Sequence, residues 1–197
     1  MTLAILIPAA GSAKRMRGGD KLLEHIDGQP LLRRQAELAL TLTPLVLVTL
    51  RAPDPERLKA LHDLPLHKLA VPDAAEGMAA SLRTGAAAAL ARNARALMIL
   101  PADMPDLTRD DLALLIAAVD QDPDSLHRAT TAQGTPGHPV VIPRRLIADL
   151  LHLTGDAGAR SLIARHPVRL HPLPENHALT DLDTPEDWAA WRALRGE

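Results

Sequence analysis

Four cationic side chains, Lys14, Arg15, Arg17 and Lys21, fall within eight residues, directly after the small-residue run Pro8, Ala9, Ala10, Gly11, Ser12 and Ala13. Small side chains let backbone N–H groups approach a polyphosphate, and cations just beyond can neutralise it, so the segment reads as an anion cradle. It carries neither G-x-x-x-x-G-K-[ST] nor G-x-G-x-x-G, which sets it apart from P-loops and from dinucleotide-binding turns. A plain strand-to-helix turn with a solvated basic face is the competing reading.

The acidic counterpart is Asp103, in Pro-Ala-Asp-Met-Pro immediately after the apolar run ALMIL. A carboxylate there stands at the C-terminal edge of a strand, where open α/β sheets bind ligands and where it can hold Mg²⁺ beside a phosphate; alternatively it caps the helix beginning near Arg109. Asp181 and Asp183 alternate in TDLDTPED, so an extended backbone turns both to one side, as a second metal contact or as the acidic start of a helix. In EGMAASLRTG, Gly77, Ser81 and Gly85 recur every four residues and line one helix face, suited to a nucleobase or to close helix packing. The loop TGDAGA, residues 154–159, followed by Arg160, offers a second phosphate site or an N-cap. The nine histidines include no H-E-x-x-H spacing, and there is neither a cysteine nor a G-x-S-x-G elbow, which removes zinc, thiol and serine-hydrolase chemistry from the leading readings.

These residues need elements to hold them. Short apolar runs predict strands over Ala4–Ile7, Leu45–Thr49, His67–Val71, Ala96–Leu100, Arg128–Thr131, Pro139–Ile142 and Val168–Leu173. Helical patterns cover Leu31–Leu40, Pro55–Leu61, Met78–Arg92 and Arg109–Val119. Strand and helix alternate through residue 120, which predicts a parallel sheet covered on both faces by helices. Pro185–Arg195 reads as a terminal helix with Thr184 as N-cap and Pro185 in first position.

A chain of 197 residues with 47% apolar and 23% charged side chains suits a single domain over 1–197 with a substantial core. That core must be aliphatic, because Phe and Tyr are absent and Trp188 and Trp191 are the only large aromatic rings. The lack of stacking platforms and the net charge of −2 argue against nucleic-acid and anionic-membrane partners. No apolar run approaches the length of a membrane span and no secretory signal pattern opens the chain, so a cytoplasmic location is expected.

Taken in order, PAAG with Arg15-Met16 and Lys21, then EGMAASLRTG, PADMP, GHPVVI, LTGDAGAR and DLDTPEDW, the chain resembles the MobA-like nucleotidyltransferases from residue 3 to about residue 190. It is most similar to the molybdenum cofactor cytidylyltransferases, since Pro-Ala-Ala-Gly stands where guanylyltransferase relatives usually carry Leu-Ala-Gly-Gly. Asp20 before Lys21, and the five-residue step from Met16, are closer to the guanylyltransferases, while Arg17 stands where the family usually has glycine.

The resemblance implies a Rossmann-like three-layer α/β fold and Mg²⁺-dependent transfer of CMP from CTP to the terminal phosphate of molybdopterin, releasing pyrophosphate. It implies that Pro8, Ala9, Ala10, Gly11 and Ser12 hold the nucleotide, that Arg15 and Lys21 face the triphosphate, and that Gly77 and Ser81 lie at the base pocket. Asp103 and Asp183 would bind the metal, and the product would pass to a molybdoenzyme or its chaperone. The alternatives are guanylyl transfer to the same acceptor, cytidylyl or uridylyl transfer to a sugar or methylerythritol phosphate, and a non-catalytic nucleotide or cofactor carrier.

Overall fold

The computed structural model describes residues 2–155 and 158–196. In chain order it contains β1 (Leu3–Ala9), the short pair β2 (His25–Ile26) and β3 (Gln29–Pro30), α1 (Leu31–Leu40), β4 (Val46–Arg51), α2 (Pro55–Ala60), β5 (His67–Val71), α3 (Met78–Ala91) and β6 (Ala96–Ile99). There follow α4 (Arg109–Gln121), β7 (Leu126–Thr130), β8 (Pro136–Pro143), α5 (Arg144–Ile147), α6 (Arg160–Ile163), β9 (Val168–Pro172) and α7 (Pro185–Arg195). Seven strands form one sheet in the order β5-β4-β1-β6-β8-β7-β9. Strand β8 runs antiparallel to both its neighbours, while the other pairs are parallel.

The alternation of side chains along β1 builds the layers. Leu3, Ile5, Ile7 and Ala9 enter one core with Leu32, Ala36 and Ala39 of α1 and Leu112, Leu115 and Val119 of α4. Ala4 and Leu6 enter the other, with Ala79, Leu82, Ala86 and Ala89 of α3. Both faces are therefore buried, as a parallel sheet requires, and the result is the Rossmann-like three-layer fold expected from the sequence. Gly85 lets α3 sit close on the sheet: a Cβ there would fall 2.3 Å from Leu6 Cδ2, so this glycine serves packing.

Chain β1 leads to β4 on one side, and β6 lies on the other, with Ala9 level with Leu50 and Leu6 level with Ile99. The loops after β1 and β6 thus leave neighbouring strands at the same sheet edge, the topological position where such sheets take ligands. The prolines of β8 conceal its length from local pattern reading, since Pro136, Pro139 and Pro143 donate nothing to the ladder; the strand tolerates them beside a register shift opposite Arg128 and Thr130. Among the described residues no helix is long and apolar enough to cross a membrane.

Candidate active site

The loop leaving β1 turns through a single 3-10 turn, Lys14–Met16. Its ends are held by backbone bonds from Met16 N–H to Ala13 O (2.9 Å) and from Gly19 N–H to Met16 O (3.0 Å). Ala13 and Arg17 both adopt left-handed backbone, φ 47° and 51°, so two side chains here occupy a conformation that favours glycine. Met16 fastens the turn by inserting into a cluster of Ile26, Leu31, Leu182, Trp188 and Trp191, and Arg17 reaches Glu186 on α7 at 2.6 Å.

Lys21 is the centre of charge. Its ammonium donates to the Asp103 carboxylate and, at 2.5 Å, to Asp183 Oδ1, while Arg15 pairs with Asp183 Oδ2 at 2.5 Å. Two carboxylates separated by 80 positions in the chain therefore meet on one lysine. The backbone fixes that meeting: Leu182 N–H donates to the carbonyl of Asp103 at 3.0 Å, so the chain entering α7 is stitched to the loop after β6. Burial alone would lower the Lys21 pKa, but the Asp103 and Asp183 carboxylates outweigh it and hold the ammonium above the ordinary lysine value. Partial desolvation, with Asp103 and Asp183 close by, raises the pKa of the Asp181 carboxyl.

The helix-cap reading of Asp103 is excluded, because Thr108 and Asp111 form the capping box of α4. At α7 the same device is built from Thr184 and Asp187, which leaves Asp183 free to face Lys21. Gly77, at φ 103°, caps α3, and Ser81 is buried in its first turn. The neighbouring Ala80 packs on Ala10 and Val71, so the small-residue loop and the start of α3 share a wall. Of the loop TGDAGA, Asp156 and Ala157 lie outside the described residues; Gly155 O accepts from Ala79 N–H at 3.1 Å, which ties the loop's start to α3.

Among the described residues no three His, Cys, Asp or Glu side chains cluster as a complete metal cage. Two carboxylates converging on one cation are instead the arrangement that suits Mg²⁺, which keeps waters and completes its shell with substrate phosphates. The residues fit such an ion.

A family model described as the MobA-like NTP transferase domain matches residues 5–170. The chain belongs to that family. A curated relative, the "Probable molybdenum cofactor guanylyltransferase" of Synechococcus elongatus, is 29% identical over 194 residues, covering 96% of this chain and 98% of its own. The crystal structure of the Mycobacterium tuberculosis Rv0371c homologue from Mycobacterium sp. strain JC1 superposes with a TM-score of 0.83 at 28% identity, covering 99% of this chain and 98% of that one. Molybdopterin-guanine dinucleotide biosynthesis protein A from Archaeoglobus fulgidus shares the fold at a TM-score of 0.73 and 14% identity, over 98% and 99% of the two chains. The protein is accordingly a nucleotidyltransferase.

One buried side chain of this MobA-like site escapes the sequence pattern. Arg57, on the short helix α2 and only 3% exposed, reaches into the loop after β1 and contacts its backbone at Ala9 and Gly11. Nothing in the local pattern of DPERLKA distinguishes it from a solvated helix residue. The signal lay elsewhere, in Asp20, whose carboxylate is its partner.

Proposed function

We propose that this chain, acting over residues 1–197 as one catalytic unit in the cytoplasm, transfers GMP from GTP to the terminal phosphate of molybdopterin and releases pyrophosphate. The observation that carries the reading is Lys21 held between Asp103 and Asp183 at the sheet edge where the loop Pro8–Ser12 emerges. An oxygen of the acceptor phosphate forms a bond to the α-phosphorus, the bond from that phosphorus to the bridging oxygen breaks, and the electron pair leaves on pyrophosphate. The acceptor phosphate, with a second pKa of about 6, is already ionised near neutral pH, so no protein base is required. Catalysis is then positioning and charge neutralisation.

In this reading the loop Pro8, Ala9, Ala10, Gly11 and Ser12 holds the nucleotide, its non-proline N–H groups turned to the phosphates, Arg15 and Lys21 face the charge that develops on the leaving group, and Gly77 and Ser81 border the base. Asp103 and Asp183 would hold Mg²⁺, which would offset the negative charge of the phosphates. The guanine preference is supported by the relative that spans nearly the whole chain and by the Asp20-Lys21 pair. Transfer of CMP from CTP is the second reading, favoured by Ala9 and Ala10 in the loop. In either case the product is handed to a molybdoenzyme or its chaperone.

Pyrophosphate release with Mg²⁺ and purified molybdopterin, compared for GTP, CTP, UTP and ATP, tests the proposal. Release chiefly with GTP is expected. Release chiefly with CTP establishes the second reading, and silence with all four nucleotides overturns both.

A further inference from the structure

The guanidinium of Arg57 makes four hydrogen bonds that span the nucleotide loop. One nitrogen, Nη1, donates to Ala9 O at 2.6 Å and to Gly11 O at 2.9 Å, at the loop's beginning. The Nε and Nη2 atoms donate side by side to Asp20 Oδ2 and Oδ1, at 2.7 and 2.8 Å, at its end. Asp20 Oδ1 also accepts from Leu22 N–H at 3.0 Å, so the carboxylate fixes the backbone as well as the arginine. Helix α2 supplies the base of the clamp: Asp54 caps it by accepting from Arg57 N–H at 3.2 Å.

From this geometry we infer that Arg57 is a positioning residue for nucleotide binding, clamping the loop after β1 at both ends. The inference rests on the reading of that loop as the nucleotide site. Two consequences follow from the bonds themselves. By drawing the carbonyls of Ala9 and Gly11 inward, Arg57 removes their negative ends from the face that a polyphosphate must approach. By holding Asp20, it fixes the residue next to Lys21, whose ammonium bonds Asp103 and Asp183. The fork requires arginine, because lysine offers no paired nitrogens to match a carboxylate while also reaching two carbonyls.

Gly11 gives the clamp its purpose. A Cβ built there meets nothing within 4 Å, so the chain itself does not need glycine at this position. The backbone is bare on that side and fastened on the other by Arg57.

The test compares wild type with Arg57→Lys, Asp20→Asn and the double variant. Amide hydrogen exchange at Met16, Gly19, Leu22 and Leu23 is measured without nucleotide, and GTP and CTP binding by calorimetry. We expect exchange at these amides to rise at least tenfold and nucleotide affinity to fall about tenfold in either single variant, with the double variant no worse than the weaker single. The acceptor KM should stay within twofold. A folded Arg57→Lys variant with wild-type nucleotide affinity, or additive losses in the double variant, overturns the inference. If wild type binds no nucleotide, the functional reading fails by itself, while unchanged exchange in Arg57→Lys would still refute the clamp and raised exchange would uphold it.

Discussion

Replacing Lys21 by alanine should weaken the fold and nearly abolish turnover, and the two losses should answer differently to magnesium. The ammonium serves two carboxylates, and its side chain is 17% exposed against 21% and 17% for Asp103 and Asp183. Hydrogen bonds to charged groups contribute about 1.5–3 kcal/mol each, so two of them set a range of about 3–6 kcal/mol. The carboxylates are each open to water and Arg15 remains on Asp183, so their rehydration places the loss at the lower end, about 3 kcal/mol. For a chain of this size 1 kcal/mol moves the melting temperature by about 2–4 °C, giving a fall of about 6–12 °C. Millimolar Mg²⁺ should restore more of that loss in the variant than it adds to wild type, because the bared carboxylates gain a cation. Turnover should not recover: removing one donor to developing charge typically costs about 10²–10³ in rate. Differential scanning calorimetry with and without Mg²⁺, beside steady-state pyrophosphate release, reads both quantities. A Lys21→Ala protein that melts with wild type and turns over within twofold of it would refute the reasoning.

Three further outcomes follow from the loop and its surroundings. Gly11→Val should leave the melting temperature within about 2 °C, as surface changes usually do, yet raise the nucleotide KM at least about tenfold; an unchanged KM would show that nothing binds against this backbone. Arg17→Gly and Arg17→Val both lose Glu186, so their difference isolates the left-handed backbone, and the valine variant should melt about 2–4 °C below the glycine variant. Equal melting temperatures would count against the φ of 51°. His138 should titrate at about 4, because burial and Arg128 disfavour its charge more than Asp103 favours it. With the folded pKa below the unfolded value, its contribution to stability is complete above about pH 6.5 and is lost as pH falls towards 4. An imidazole NMR signal with a midpoint near 6.5 would refute this.

Much of the parallel half was legible because each strand and helix there obeys its own period. The predicted strand His67–Val71 and helices Leu31–Leu40 and Pro185–Arg195 match the observed bounds. The hairpin of β2 and β3 was not read, since two-residue strands carry no periodicity, and α5 and α6, at four residues each, are too short to show a helical stripe. Asp103 was readable from its place after an apolar strand, whereas its union with Lys21 and Asp183 depends on the backbone bond from Leu182 N–H to Asp103 O, a contact between distant segments. Alternation alone left Asp181 and Asp183 open; the family resemblance favoured Asp183, and it is Asp183 whose carboxylate meets Lys21. Arg57 was missed for a related cause: two of its bonds go to carbonyls, which have no signature in residue types, and its carboxylate partner Asp20 lies 37 positions away in the chain.

The packing of Met16 against α7 has an optical consequence. The chain contains two tryptophans and no tyrosine or phenylalanine, so near-ultraviolet emission has a single origin. Both indoles, 2% and 6% exposed, lie in the cluster that receives Met16 from the loop after β1; Trp191 Nε1 is tethered to Asp106 at 2.9 Å, while the buried Trp188 Nε1 has no hydrogen-bond partner among the described residues. The guanidinium groups of Arg192 and Arg195 stand 4.9 and 4.5 Å from the two ring centroids. Any movement of Met16 therefore changes the polarisability and field around the chromophores. Tryptophan emission is therefore a label-free reporter of the loop after β1, to be followed in a stopped-flow instrument as nucleotide is added.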